Sequence, residues 1–184
     1  MSADRSPPRE QGRVALGDPL YTSKRMTFRV AQVSGSSGAT IERGLVQHPG
    51  SVVIVPVTDD GRIVMIRNHR WTVDKTLLEL PAGTLTAGED PLLAAGRELR
   101  EETGYEAAKL QPLMAFYAAP GSSTERMWCY VATGLKQVGQ QLEDDEQITV
   151  ELVALADVPG LLRDGDIEDA KSIASLARWL LDSR

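Results

Sequence analysis

The sequence predicts an α/β domain preceded by an antiparallel hairpin, and three observations carry that prediction. YTSKRMTFRVAQV (residues 21–33) and ATIERGLVQH (39–48) alternate polar and apolar residues on either side of the turn SGSSG, as two hairpin strands do. SVVIVPV (51–57) is a nearly continuous β-branched run, the composition of a strand buried on both faces. Two helical patterns, 90–103 and 168–184, are separated by strand-like runs of mixed length with no βαβ repetition.

The 184 residues suit one domain, or one domain with an extension, and 42% of them are apolar, enough for a sizeable core. A net charge of −6 argues against a general nucleic-acid binder, because phosphate recognition by charge needs a basic surface. A polyphosphate can still bind if metal ions bridge the repulsion. Cys129 is the only cysteine, so an intrachain disulfide is excluded, and in RMWCYVA it reads as a small apolar strand residue. No apolar run approaches the ~18 residues of a membrane span and no leader pattern opens the chain. The expectation is a cytoplasmic protein with no membrane partner.

Taken in order, residues 1–17 are polar and aperiodic and read as a frayed tail. The hairpin occupies 18–48, and the main domain 49–184. His48, ahead of Pro49-Gly50, reads as a packing or turn residue. DDGR turns the chain after 51–57, and IVMIRNHR (63–70) returns as a strand ending in Arg67, Asn68, His69 and Arg70. This end is either an ordinary polar edge or a pair of guanidinium forks suited to a diphosphate, with Arg70 the better candidate and Arg67 the other. LLELPAG (77–83) follows, and Pro81-Ala82-Gly83 favours a turn. Glu79 reads either as a substrate or water ligand or as a strand-end carboxylate paired with an arginine.

Asp90–Thr103 reads as one helix with marked ends: Pro91 stands at the permissive start and Gly104 at the stop. At about 100° per residue, Leu92, Ala95, Gly96, Leu99 and Thr103 share one side, and Glu98, Glu101 and Glu102 gather elsewhere. Like charges at this spacing oppose helix formation by roughly 0.2–0.5 kcal/mol per pair, so a cation belongs against them. Arg97 and Arg100 flank the cluster, which suits a solvated acidic face; clustered carboxylate oxygens also suit a hard divalent ion such as Mg²⁺ or Mn²⁺.

Beyond the helix, KLQPLMAFYAA (109–119) and RMWCYVATGL (126–135) read as strands joined by PGSSTE, where Glu125 could reach a metal or pair with Arg126. QQLEDDEQI (140–148) packs four acids into a loop before the strand ITVELVAL. After ADVPGLLRDGDI, the last helix presents Ile173, Leu176, Ala177, Leu180 and Leu181 as a core stripe.

Residues 83–105, GTLTAGEDPLLAAGRELREETGY, fit the pattern G-x5-E-x7-R-E-U-x-E-E-x-G-U, in which U is a bulky aliphatic residue. Gly83, Glu89, Arg97, Glu98, Leu99, Glu101, Glu102 and Gly104 fill the fixed places, and Tyr105 departs from the final aliphatic one. The string resembles the signature of the Nudix hydrolases. Pro120, sixteen residues beyond Gly104, resembles the branch that acts on ADP-ribose. The resemblance implies an α/β/α sandwich with a mixed central sheet, and an N-terminal element that pairs across a homodimer and supplies base-binding residues, with Phe28, Arg29 and Arg43 as candidates. It also implies two or three Mg²⁺ ions, with Mn²⁺ as a substitute, held by Glu98, Glu102, Glu101 and the Ala82 carbonyl. Arg97 and Glu89 would support them. The general base would be Glu146, with Glu143, Asp144 and Asp145 as rivals in the same loop and Glu101 as runner-up. The implied reaction is hydrolysis of ADP-ribose to AMP and ribose 5-phosphate; another substrate, such as GDP-mannose or a UDP-sugar, and a non-catalytic nucleotide sensor are the alternatives.

Overall fold

The computed structural model describes residues 14–35, 37–142 and 147–182. They form two compact units: one holds the chain up to His48 together with Ala119–Thr124, the other Pro49–Ala118 and Glu125–Arg184.

In the first unit, β1 (Val14–Thr22), β2 (Thr27–Ser34) and β3 (Thr40–Gln47) make an antiparallel sheet in that order. The expected hairpin is the β2–β3 pair, and a further strand precedes it. Residues 14–17, expected in the tail, belong to β1. Ser23 explains the break inside the segment read as a single strand. Its hydroxyl accepts the N–H groups of Arg25 and Met26, and its own N–H donates to the Met26 carbonyl, so the chain reverses. Strand β1 hid its period because its register slips on both sides of Pro19, which an edge strand tolerates. Strand β3 also takes a parallel partner: Val46 bridges Ser123, with its N–H donating to the Ser122 carbonyl and its carbonyl accepting from Thr124.

The second unit contains β4 (Ser51–Pro56), β5 (Arg62–Arg70), β6 (Lys75–Glu79), β7 (Ala82–Thr84), β8 (Tyr105–Tyr117), β9 (Arg126–Gln137) and β10 (Ile148–Ala154), with helices α1 (Pro91–Thr103), α2 (Val158–Asp164) and α3 (Ala170–Asp182). A mixed sheet runs β7-β4-β9-β8, parallel only between β4 and β9, and an antiparallel sheet runs β10-β5-β6. Strand β4 is buried along its whole length, as its β-branched run predicts. The two-residue period sends Val52 and Ile54 against Ala94, Ala95 and Leu99 of α1, and Val53 and Val55 against Ile63, Met65, Leu78 and Leu176. Each such side chain contributes about 1.5–3 kcal/mol by leaving water. The mixed sheet therefore lies between α1 on one face and β5, β6 and α3 on the other, the layering the resemblance implies.

Both ends of α1 are chemically fixed. Asp90 Oδ1 accepts the N–H groups of Leu92 (2.8 Å) and Leu93 (3.3 Å), and Gly104 takes the left-handed conformation (φ 72°) while donating to the Arg100 carbonyl. The buried arc differs from expectation. Ala94, Ala95, Leu99 and Thr103 face inward together with Glu98 and Glu102, while Leu92 lies exposed. The core accepts alanines here because β4 already supplies the bulk.

Helix α2 was not expected. Its Pro159-Gly160 reads as a loop signal, yet proline in a first turn loses no hydrogen bond. The stripe expected on α3 also turns: Ser172, Ser175 and Leu176 are buried, Trp179 and Leu180 pack beside the core, and Ile173 and Leu181 are exposed. Ser172 is accepted inside because its hydroxyl is doubly used, donating to Asp169 Oδ2 (2.5 Å) and accepting from the Leu80 N–H (2.7 Å). Cys129 is buried in the core, and burial pushes its thiol up to about 11, which leaves it unreactive. No helix among the described residues is long and apolar enough to cross a membrane.

Candidate active site

The site begins where the chain leaves β6 and turns through Leu80-Pro81 into β7. The turn is tied at three points. Leu80 N–H donates to Ser172, the Pro81 carbonyl accepts from Ile54 N–H (2.9 Å), and Ala82 N–H donates to Glu102 Oε2 (2.8 Å). The last bond fixes one helix carboxylate against the turn. The other is fixed by the lack of a side chain: a Cβ on Gly83 would stand 1.9 Å from Glu98 Cδ. Glycine alone lets the Glu98 carboxylate lie against the β7 backbone. Glu98 and Glu102 are 8% and 3% exposed, one helical turn apart on α1.

Buried carboxylates need counter-charge. Arg97 provides it through four bonds: Nε and Nη2 grip Glu89 (3.0 and 3.1 Å), while Nη1 donates to Glu98 Oε1 (2.7 Å) and Glu101 Oε2 (3.0 Å). The Arg97 pair, then the Thr86 N–H, lower Glu89 to about 2, and the same pair raises Arg97 further above its ordinary value. Arg97 thus joins the helix entry to the acidic face, and Glu89 and Thr86 anchor it from the preceding loop.

A second charged group lies at the end of β6. Glu79 is fully buried; its Oε1 accepts from Arg70 Nε (2.8 Å), and its Oε2 accepts from both Arg70 Nη2 (2.6 Å) and Lys171 Nζ (2.5 Å). Lys171 also reaches Asp169 Oδ2 (2.9 Å). The Glu79 pair raises Arg70 above its ordinary value, and Glu102 adds to the shift, so the fields of Arg70 and the helix face overlap. Of the two readings of Glu79, the described geometry is that of a carboxylate paired with arginine. Lys171 was not anticipated. It lies far along the chain in a helix whose sequence signals only amphipathicity, and no local pattern marks it.

The remaining candidates fall elsewhere. Arg67 pairs with Glu151 across β5 and β10 (2.7 and 3.3 Å). Glu125 accepts from the Ser51 hydroxyl (2.6 Å). Phe28, Arg29, Arg43 and Pro120 belong to the first unit, where Phe28 is exposed beside Tyr21, Arg29 donates to Gln47 and Gly17, and Arg43 donates to the Glu42 carbonyl. His48 N–H donates to Thr124 in that unit, a turn contact. Glu143, Asp144, Asp145 and Glu146 lie outside the described residues.

Among the described residues no three His, Cys, Asp or Glu side chains converge as a ready metal cage. The donor chemistry nonetheless fits a hard cation. Glu98, Glu101 and Glu102 are oxygen donors on one helix face, and the Gly83 cradle brings one of them against the backbone.

Residues 47–176 match the profile of the NUDIX domain. The chain is 36% identical to an ADP-ribose pyrophosphatase of Bacillus subtilis over 84% of this chain and 85% of that one. It is 33% identical to a methanol dehydrogenase activator of Bacillus methanolicus (86% and 87% covered) and 38% identical to an ADP-ribose pyrophosphatase of Mycobacterium tuberculosis (86% and 78%). In fold it resembles the crystal structure of an ADP compounds hydrolase, with a TM-score of 0.78, 24% identity, and 94% and 96% of the two chains covered. The matched span takes in every element that builds the carboxylate face, from β4 through α1 to the α3 residues under the β6–β7 turn, and the chain belongs to the Nudix family.

Proposed function

We propose that the protein hydrolyses the pyrophosphate bond of ADP-ribose, giving AMP and ribose 5-phosphate, with Mg²⁺ or Mn²⁺ as cofactor. The observation that carries the hydrolase reading is the pair of buried carboxylates, Glu98 and Glu102, pinned against Gly83 and the Ala82 N–H. The substrate is drawn from the relatives named ADP-ribose pyrophosphatase.

When bound, the divalent ions supply neutralisation of the diphosphate oxygens and Lewis-acid activation of water. Glu98, Glu101 and Glu102 would hold them, with the Ala82 carbonyl as a further oxygen. Arg97 keeps the carboxylates in place through its bonds to Glu89, Glu98 and Glu101. Arg70 commits Nε and Nη2 to Glu79, and among the described residues Nη1 has no bond, so it can donate to the diphosphate. A carboxylate within hydrogen-bond reach takes the proton from the attacking water; Glu146 is assigned that role, with Glu101 as the alternative. The reading includes a cytoplasmic location and a homodimer joined through the β1-β2-β3 sheet. A lone cysteine, without a disulfide framework, supports the first, and exposed Leu16, Leu20, Tyr21 and Ile41 support the second.

Product analysis over ADP-ribose, NADH, GDP-mannose and UDP-glucose tests the assignment. AMP should form fastest from ADP-ribose, only with added metal, and Glu102→Gln should lower turnover by at least ~10²-fold. Undiminished turnover after chelation would overturn the metal assignment. Faster cleavage of GDP-mannose would favour the second reading, which GDP-mannose pyrophosphatases of Yersinia, 27% identical, support more weakly.

A further inference from the structure

Lys171 is a cation in an unusual position. Its side chain is only 11% exposed, it stands in the first turn of α3, and its ammonium is shared between Glu79 and Asp169. Glu79 is fully buried, and a carboxylate in such a place needs paired positive charge and hydrogen bonds to its oxygens. Arg70 Nε takes Oε1, and Arg70 Nη2 and Lys171 Nζ share Oε2. Asp169 holds Lys171 and also accepts from the Ser172 N–H and hydroxyl, so the ammonium is braced by the start of α3.

This arrangement divides the work of Arg70. Two of its nitrogens are spent on Glu79, which fixes the plane of the guanidinium. The side chain is still 40% exposed, and Nη1 is left over among the described residues. Without Lys171, Glu79 would carry an unmatched share of charge and draw the whole guanidinium inward. We propose that Lys171 is a positioning residue that acts through Glu79 to hold the outer edge of Arg70 available to the substrate diphosphate. The inference rests on the pyrophosphatase reading above.

The test is steady-state kinetics on ADP-ribose with Lys171→Met, Lys171→Arg, Arg70→Ala and the double variant. Lys171→Met should raise KM about tenfold with kcat changed less than about threefold, as loss of a charge-assisted substrate contact does. Lys171→Arg, which restores the charge, should recover most of the KM. In the Arg70→Ala background Lys171→Met should have little further effect, because both act on one contact. Lys171→Gln carries the same comparison if the methionine variant fails to fold. An unchanged KM in folded Lys171→Met or Lys171→Gln protein, or full additivity with Arg70→Ala, would overturn the proposal. Wild-type protein that cleaves no ADP-ribose would instead overturn the pyrophosphatase reading.

Discussion

A methyl group at position 83 would fall inside the contact distance of all three terminal atoms of Glu98, at 1.9 to 2.3 Å. Glu98 would have to leave the β7 backbone and take its Arg97 bond with it. Gly83→Ala is therefore expected to lower turnover by about 10²-fold, the scale of an ångström-sized misplacement, with an unchanged circular dichroism spectrum. Near-normal turnover would show that Glu98 need not sit in that cradle. The spacing of Arg97, Glu98, Glu101 and Glu102 was legible because a helix converts sequence intervals directly into a face. Lys171 was not, since what brings it to Glu79 is the packing of α3 against β4 and β8, which no interval records.

At the scale of elements, α1 is entered through a loop held by ionic contacts. Glu89 is lowered from 4.5 to about 2, so its pairing with Arg97 stabilises the fold fully above about pH 4.5 and the contribution disappears as pH falls through about 2. Thermal unfolding of the wild type and Glu89→Gln should differ most above pH 4.5 and converge toward pH 2. A gap that stays constant with pH would mean that the carboxylate charge is not what ties the loop. Strand β4 and both ends of α1 could be read in advance, since β-branched runs, an Asp cap and a stop glycine act locally. Strand β1, helix α2 and the true face of α3 could not. Register slips around Pro19 erased a period, a first-turn proline imitated a loop, and two serines replaced apolar residues on the buried side.

For the molecule as a whole, the apolar side chains left uncovered on the N-terminal sheet set an expectation for assembly. Sedimentation should give twice the 20.0 kDa chain mass, and Leu20→Glu should shift it toward the single-chain value. A wild type that sediments as one chain would remove the sheet as a self-association surface. The borrowing of Ser122, Ser123 and Thr124 by β3 bears on biosynthesis. Strand β3 is synthesised well before these residues and must wait with one edge incomplete until position 124 has been translated, by which time β4 to β8 and α1 have already been made. The N-terminal sheet is thus translated before the main sheet but completed after much of it, and a nascent chain arrested before that point would expose an unsatisfied strand to any chaperone nearby.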